Sequence, residues 1–236
     1  MDEKLPLESE FIAVAEINGE LKLVSVTRDG YKFLDQTDKR YNVLYVYSSE
    51  TKTLEAAVEE FEDLINSPNT KEADIQHFFE KNPNFIKNDE YKQAHSRVVL
   101  IREEAEPLKP DFVLEPVDQS RLCDLLELKL PSAQIFVLKK RRERFSADVL
   151  EACAQLREYA HYFDEERNRR FVKEKYGLAA YKPRMFVIIG RRGSLSPIQL
   201  RNIELDLPEL NLRTYDEIAT RMKAKVAAMK DGSWRH

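Results

Sequence analysis

The chain has 236 residues, of which 42% are hydrophobic and 34% charged, with a formal net charge of −4, so its length suits one large domain or one medium domain with a small appendage. An apolar run such as Met185 to Ile189 is much shorter than the about 20 residues that cross a bilayer, and the acidic start of the chain is unlike a signal peptide, which predicts a soluble cytoplasmic protein without a membrane partner. Two widely separated cysteines, four dispersed histidines and six glycines outside any phosphate-binding motif argue against a disulfide scaffold, a structural zinc site and a nucleotide-binding fold.

The first 66 residues predict a small β-rich region that ends in a helix. A β-hairpin is indicated by the turn pair Asn18-Gly19, which lies between two β-rich runs. Further along, apolar residues recur at helical spacing until Ser67-Pro68-Asn69 breaks the pattern. The predicted elements are strands at Phe11–Ile17, Leu21–Val26, Tyr31–Leu34 and Val43–Tyr47 and a helix at Thr53–Ile65. A domain boundary is therefore predicted between residues 66 and 70.

The remaining residues, 70–236, predict alternating strands and helices. Ser146 and Ser196-Pro197 have the features of helix N-termini, and the strand–helix–strand order near the end of the chain implies a parallel crossover. The predicted strands are Ser96–Ile101, Asp111–Glu115, Leu122–Leu130, Ile135–Leu138, Met185–Gly190 and Leu210–Tyr215. The predicted helices are Glu72–Glu80, Ala147–Phe163, one after Ser196 and one from about Asp216. This order indicates an α/β fold with a mixed β-sheet flanked by helices.

Charge is divided unevenly along the chain. Residues 1–66 contain 15 acidic and 7 basic residues (−8), whereas residues 67–236 contain 27 acidic and 31 basic residues (+4). The basic residues are densest in Lys139-Lys140-Arg141-Arg142-Glu143-Arg144, which has five positive charges in six positions. Two interpretations stay open from the residues alone: a solvated strand edge, or a rim that contacts nucleic-acid phosphates.

Two neighbouring predicted strands bring two acidic residues together with a lysine. Side chains alternate along a strand, so Glu127 and Lys129 share one face while the leucines between and beside them face the core. A hairpin folded about Gln119 places Asp111 opposite Glu127, with Cβ atoms about 5 Å apart. Carboxylates this close repel each other unless a cation lies between them, and an all-oxygen site with few carboxylates suits Mg²⁺. The residues therefore predict a site for phosphodiester hydrolysis, with Lys129 beside the reacting phosphate.

Two predicted helices offer supporting residues. Gln155 and Tyr159 are four residues apart and therefore share one helical face, although a polar flank and a core aromatic residue explain them equally well. For an upstream helical acid there are two candidates, Glu72 and Glu80. Glu72 is favoured because it lies one turn before Ile75 on the predicted sheet-facing side, whereas Glu80 falls nearer the solvent side.

These motifs together resemble the PD-(D/E)XK nuclease superfamily. Pro110-Asp111 followed by Glu127-Leu128-Lys129 is similar to its signature, and Gln155 to Tyr159 is similar to its accessory Q-x-x-x-Y motif. Within that superfamily, roughly residues 70–220 resemble the Shedu anti-phage nuclease domain. The segments that carry this closer resemblance are Glu72 to Pro83, Lys109 to Phe112, Glu127 to Pro131, Gln155 to Tyr159 and Ile188 to Arg191.

The resemblance implies a restriction-endonuclease-like fold for residues 70–236 and a metal-dependent DNA endonuclease that acts in bacterial immunity as a homo-oligomer. Mg²⁺ is the implied cofactor, with Mn²⁺ as an alternative. The implied catalytic residues are Asp111, Glu127, Lys129, Gln155 and Glu72. The first two of these would bind the metal. Residues 1–66 would correspond to the variable N-terminal region of such proteins, which implies a regulatory or sensor role.

Three functions agree with this reading of the residues. The first is a Mg²⁺-dependent endodeoxyribonuclease whose DNA-binding residues are Lys139, Lys140, Arg141, Arg142 and Arg191. The second is a non-catalytic nucleic-acid-binding or assembly module on a nuclease-like fold, which binds DNA with a steep salt dependence and without turnover. The third is a repair or restriction nuclease that uses the same chemistry in response to a different trigger.

Overall fold

A computed structural model describes residues 11–17, 20–27, 30–33, 42–193 and 195–230. The chain divides into two compact units, one formed by residues up to 57 together with residues from 225 onward, the other by Val58–Ala224. This division falls inside a helix, and the predicted regions 1–66 and 70–236, with a regulatory role for the first, stay predictions. None of the helices in the described part of the chain is long and apolar enough to span a bilayer.

The first unit contains a three-stranded antiparallel sheet in the order β1–β2–β3. Its strands are β1 (Phe11–Ile17), β2 (Glu20–Thr27) and β3 (Gly30–Phe33). The predicted hairpin is confirmed, because Phe11 lies opposite Val26 and the pairing continues to Ile17 opposite Glu20. The turn pair Asn18-Gly19 and the last residue of the predicted third strand, Leu34, lie outside the described residues.

Helix α1 (Asn42–Asn66) replaces two predicted elements. The strand predicted at 43–47 is wrong, because these residues form the first turns of this helix. The run Val43 to Tyr47 has high β-propensity, but no glycine or proline separates it from the strongly helical residues that follow. Helix growth is cooperative, so an established helix extends through such a run. The helix ends before Ser67-Pro68, as predicted.

The second unit is built on a five-stranded sheet, and its last helix runs on to Lys230. Its strands are β4 (Tyr91–His95), β5 (Phe112–Pro116), β6 (Asp124–Leu128), β9 (Met185–Ile188) and β10 (Leu210–Arg213). A separate two-stranded ribbon consists of β7 (Phe136–Lys139) and β8 (Arg142–Phe145). The helices are α2 (Glu72–Lys81), α3 (Ala147–Tyr162), α4 (Glu166–Tyr176), α5 (Pro197–Asp206) and α6 (Tyr215–Lys230), with a 3₁₀ turn at Pro83–Phe85.

The sheet order is β10–β9–β6–β5–β4, and the sheet is mixed as predicted. The hairpin strands β4, β5 and β6 are antiparallel, whereas β6, β9 and β10 are parallel. The predicted crossover from β9 through α5 to β10 is confirmed. Ser146 caps α3 by accepting a hydrogen bond from the Val149 N–H at 3.2 Å, also as predicted.

The second unit differs from the sequence prediction at the strand predicted at 96–101 and at two elements that were not predicted, β8 and α4. The strand predicted at 96–101 is wrong: the strand lies earlier, at 91–95, and Arg97 has a left-handed φ of 62° that interrupts extended backbone. Of the predicted run, Leu100 makes only an isolated bridge to Leu108. Helix α4 was not predicted, because its charged sequence buries only Val172 fully and has little apolar periodicity.

Packing on both faces of the sheet holds its central strand, β6, in which all five residues are buried. On one face, the α3 residues Val149 and Leu156 join the main apolar core. On the other face, α2 is held by a cluster of aromatic rings in which the Phe61 centroid lies 5.1 Å from those of both Phe78 and Phe85. The two faces together place α2 and α3 against the end of β6 that carries Glu127.

Asp124, the first residue of β6, is the centre of a buried hydrogen-bonded cluster. Its carboxylate accepts hydrogen bonds from the Tyr91 hydroxyl at 2.7 Å and from the Arg184 backbone N–H and Nε at 2.7 and 3.0 Å. Burial, reinforced by the hydrogen bond to Asp124, raises the pKa of Tyr91, so the phenol stays a donor. The cluster ties β4 and the start of β9 to β6.

Replacing Asp124 by asparagine is expected to lower the free energy of unfolding by about 2 kcal/mol, because the buried donors lose a charged acceptor. Urea denaturation followed by circular dichroism measures the change. Glu104→Gln, in the exposed loop before β5, is the matched control and should leave the midpoint unchanged. Equal midpoints for the Asp124→Asn protein and the wild type would contradict the structural role of this cluster.

Candidate active site

Strands β5 and β6 pair in the register predicted for Asp111 and Glu127. Phe112 lies opposite Leu126 and Val113 opposite Leu125. Asp111 directly precedes β5, so the same register sets it beside Glu127. Its Oδ2 accepts a hydrogen bond from the Leu128 backbone N–H at 2.7 Å, which holds its carboxylate against the end of β6.

Lys129 lies at the centre of the site. Its Nζ is 2.7 Å from Oε1 of Gln155 and 3.4 Å from Oε1 of Glu127. Its backbone is held on both sides, because its N–H donates to the Ile188 carbonyl at 2.9 Å and its carbonyl accepts from the Tyr215 hydroxyl at 2.6 Å. The structure therefore joins three sequence-predicted residues that are separated by up to 28 positions in the chain.

Both carboxyl groups of the site are held in surroundings that disfavour their charged form. Glu127 is only 5% exposed, and burial together with the nearby charge of Asp111 raises its pKa to about 8. Burial also raises the pKa of Asp111, to about 6, although the Leu128 N–H and the Lys129 charge act in the opposite direction. The strand face that carries Glu127 is thus covered, and its carboxyl group is buried away from water.

One oxygen of Glu127 has no hydrogen-bond partner. Oε1 faces Lys129, but Oε2 is fully buried and bonds to no group in the described part of the protein. A buried carboxylate oxygen without a partner is unfavourable unless a cation or a proton satisfies it. A cation bound to Oε2 of Glu127 would supply the missing favourable interaction.

The two helical acids differ in what they face. The negative charge of Glu72, at the start of α2, contributes to the raised pKa of both Asp111 and Glu127, which places it within electrostatic range of the site. Glu72 is nevertheless exposed, whereas the Glu80 side chain is only 20% exposed, contrary to the expectation that Glu80 lies nearer the solvent. Glu80 is bonded to Arg97 at 3.1 Å. Glu72 therefore stays the predicted helical acid of the site, because its charge acts on both carboxyl groups.

Two tyrosines complete the walls of the site. Tyr159, one turn after Gln155, is buried, and its pKa is raised by burial and by the charges of Glu127 and Asp111. Tyr215 is fully buried, and burial and the charges of Asp111 and Glu72 raise its pKa in the same way. The sequence analysis missed Tyr215, because nothing in the sequence shows that the first residue of α6 reaches the carbonyl of Lys129.

The basic residues predicted to bind DNA fall into two groups. Exposed side chains on the β7–β8 ribbon form the first group, and its members are Lys139, Lys140, Arg141 and Arg142. Arg191 differs, because its Nε donates to Asp216 at 2.6 Å and its Nη1 donates to the Ile65 carbonyl and the Asn66 side chain at 3.0 and 2.8 Å. Its guanidinium is thus already used to hold the loop after β9. DNA binding by any of these residues stays a prediction.

The donor set fits a hard divalent cation held by few protein ligands. In the described part of the chain no group of three or more His, Cys, Asp and Glu residues is arranged to hold a metal ion. A cation here would be held by Asp111 and Glu127, whose oxygens are the ligand type that Mg²⁺ prefers with water completing its shell. The unpartnered Oε2 of Glu127 and the two raised pKa values fit such an ion.

Comparison with known families decides the relationship of this chain to other proteins. Residues 69–219 match the family described as Shedu protein SduA, C-terminal, and this span is more than half of the chain. The chain belongs to the Shedu family. Comparison with curated proteins finds no match.

Every predicted catalytic residue, from Glu72 to Gln155, lies inside the part that matches the Shedu C-terminal family. The predicted resemblance to Shedu proteins is confirmed, and membership supports a role in antiviral defence. The wider assignment to the PD-(D/E)XK superfamily, the homo-oligomeric state and the DNA partner stay predictions.

Proposed function

We propose that this Shedu protein is a Mg²⁺-dependent nuclease that hydrolyses DNA phosphodiester bonds during antiviral defence. The observation that carries the proposal is the contact of Lys129 with both Gln155 and Glu127, beside a second carboxyl group, Asp111. A solvated strand face does not explain this arrangement, since Glu127 is buried with one oxygen unsatisfied. Phosphodiester hydrolysis needs stabilisation of negative charge and a positioned water, and this cluster can supply both.

Asp111 and Glu127 would hold the ion between β5 and β6. When bound, the ion polarises the scissile phosphate and lowers the pKa of a water molecule. Asp111 is held for this role by the Leu128 N–H. The charge of Glu72 adds to the negative potential that attracts a cation.

Lys129 would stabilise charge on the phosphate and orient the attacking water. Its ammonium group has three N–H donors, of which two face Gln155 and Glu127. Those two contacts set the direction of the third, which is left for the substrate. Gln155 acts as a positioning residue, because it works through Lys129 without a required contact to the phosphate.

A plasmid-nicking assay tests the proposed function. The full-length protein is incubated with supercoiled DNA in Mg²⁺, in Mn²⁺ and in excess chelator. We expect conversion to nicked or linear DNA with either metal and none with chelator. Absence of cleavage under every metal condition by folded protein contradicts the proposal.

Substitution at Gln155 separates positioning from packing. Gln155→Leu removes the acceptor that faces Lys129 and is expected to lower the cleavage rate by about 10–100-fold. Gln155→Glu retains an oxygen acceptor and should keep most of the activity. Single-turnover cleavage rates across pH provide the measurement, and equal rates for the two variants would remove Gln155 from the positioning role.

A second candidate function is a non-catalytic DNA-binding module. The exposed basic side chains of the β7–β8 ribbon fit this function, because they could bind phosphates whether or not the site cleaves DNA. This module would bind DNA with a steep salt dependence and show no turnover in the plasmid assay. A repair or restriction nuclease, in contrast, would show the same cleavage, and only a phage challenge of cells that express the wild type or Lys129→Ala distinguishes it.

A further inference from the structure

The β7–β8 ribbon has an unusual turn. Strand pairing ends with Lys139 opposite Arg142, so Lys140 and Arg141 form a two-residue turn. Both have left-handed backbone conformations, with φ of 51° and 64°. Two-residue hairpin turns of this kind favour Asn-Gly, since longer side chains are strained there. Two long basic side chains at these positions are therefore unfavourable for the backbone, and they place two positive charges at the tip of the ribbon.

Four cations of this ribbon have no acidic partner among the residues that the structure describes. Lys139, Lys140, Arg141 and Arg142 are exposed and form no ion pair with any residue in the described part of the chain. Elsewhere in the same unit, Arg157, Arg167 and Arg184 each contact an acidic side chain. The ribbon is therefore a local concentration of uncompensated positive charge, which suits a polyanion.

Leu138 adds a second property to the ribbon. It is 74% exposed, more than any other large apolar side chain in the described residues. It lies one residue before the basic end of β7, opposite Glu143. At the other end of the ribbon, the rings of Phe136 and Phe145 stack with centroids 5.1 Å apart and pack against the core. The ribbon thus exposes Leu138 to solvent near its tip, while its other end is fixed to the core by Phe136 and Phe145.

The base of the ribbon is tied to the segment that directly follows β6 and begins with Lys129. The Leu130 carbonyl accepts hydrogen bonds from both the Ala133 and Gly190 N–H groups, each at 3.1 Å. A Cβ at Gly190 would lie 2.5 Å from the Ala133 carbonyl oxygen, so the loop before β7 packs directly on the end of β9. A groove of about 480 Å³ runs along this loop to Leu138.

We propose that the β7–β8 ribbon is a duplex-distorting arm, in which Leu138 inserts between stacked base pairs while the neighbouring cations bind the backbone. Inserted apolar side chains unstack base steps, and phosphate contacts on either side offset the cost of unstacking. This inference rests on the proposed function in one respect, namely that DNA is the partner. It adds that the duplex is opened beside the reacting phosphate.

Fluorescence of a base analogue tests the insertion. A short duplex that carries 2-aminopurine at successive positions is titrated with the full-length protein in chelator, so that no cleavage occurs. We expect the wild type to raise the fluorescence at one or two adjacent positions. Leu138→Ser should bind with an affinity within about threefold of the wild type, because phosphate contacts carry most of the affinity, and should lose the fluorescence rise.

Two further variants control this experiment. Leu150→Ser replaces another exposed leucine, on α3 and 53% exposed, and should keep both binding and the fluorescence rise. The double substitution Lys140→Asn with Arg141→Gly keeps a favourable turn and removes two charges. It should weaken binding and lower the slope of log K against log salt by about 2.

Three outcomes would contradict the proposal that Leu138 inserts between base pairs. Absence of duplex binding, or an undiminished fluorescence rise in Leu138→Ser, shows that Leu138 inserts into no base step. A change of oligomeric mass in Leu138→Ser, measured by light scattering, shows instead that the surface joins copies of the chain. The plasmid assay tests the nuclease proposal independently. If the protein cleaves DNA and Leu138→Ser has no effect on fluorescence, only the proposal of a duplex-distorting arm is rejected. If the protein unstacks bases and does not cleave DNA, only the nuclease proposal is rejected.

Discussion

Replacement of Lys129 by methionine is expected to lower the Mg²⁺-dependent cleavage rate by about 10²–10⁴-fold while the protein stays folded. Methionine fills a similar volume but cannot donate to Gln155, to Glu127 or to a phosphate. The same change removes a charge that lowers the pKa of both Asp111 and Glu127. Both carboxyl groups therefore hold their protons more strongly, and cation binding weakens as well.

Single-turnover cleavage and thermal unfolding, measured on the same preparations, give the two readouts. Lys81→Met is the matched control, because Lys81 forms an exposed ion pair with Glu60 and lies outside the site. Its cleavage rate should equal that of the wild type. A Lys129→Met protein that cleaves at the wild-type rate would show that the central lysine is not part of the chemistry.

Replacement of Glu127 by glutamine is expected to stabilise the metal-free protein at neutral and alkaline pH. The pKa of Glu127 is raised from 4.5 to about 8 in the folded state, so ionisation is easier in the unfolded chain. The folded wild type therefore loses stability as the pH rises from 4.5 towards 8 and lacks this loss below 4.5. Glutamine does not ionise, and the variant should exceed the wild type by about 1–3 kcal/mol at pH 8.

The stability difference is measured by chelator-treated urea unfolding from pH 5 to pH 8, and it should shrink as the pH falls. Mg²⁺ should stabilise the wild type at pH 8 and leave Glu127→Gln unaffected, since a ligand that binds the native state raises its stability. Glu115→Gln gives a control of opposite sign: the hydrogen bond from His95 lowers the pKa of Glu115, so this substitution should destabilise the protein at neutral pH. If the wild type is more stable than Glu127→Gln in chelator at pH 8, burial does not raise the pKa of Glu127 as described.

The hairpin that carries Asp111 and Glu127 could be predicted from the sequence because its information is local. Strand periodicity and a short polar turn set the register between β5 and β6, and the structure has that register. Gln155 could be placed for a similar reason, since helical spacing and the Ser146 cap define its helix. These features depend on residues that are close in sequence.

What the sequence could not show depends on contacts distant in the chain. The run at 43–47 has strand propensity, but the helix that follows it extends through these residues. The exposure of Glu80 reverses the expected order because Arg97, in a left-handed conformation, reaches it. Tyr215 joins the site from 86 residues away through one hydrogen bond to Lys129. Tertiary packing decides each of these, and no local pattern records it.

Strand β6 contains two buried acidic residues that differ in their hydrogen bonding. Asp124 accepts three hydrogen bonds, whereas Glu127, three residues later, has an oxygen that bonds to no group in the described residues. The hydrogen bonds at the Asp124 end of β6 help to offset the unfavourable burial of Glu127 at the other end. Loss of the Asp124 cluster should therefore lower the proposed cleavage activity indirectly, because a looser β6 lets water reach the Glu127 carboxyl group and removes the burial that raises its pKa.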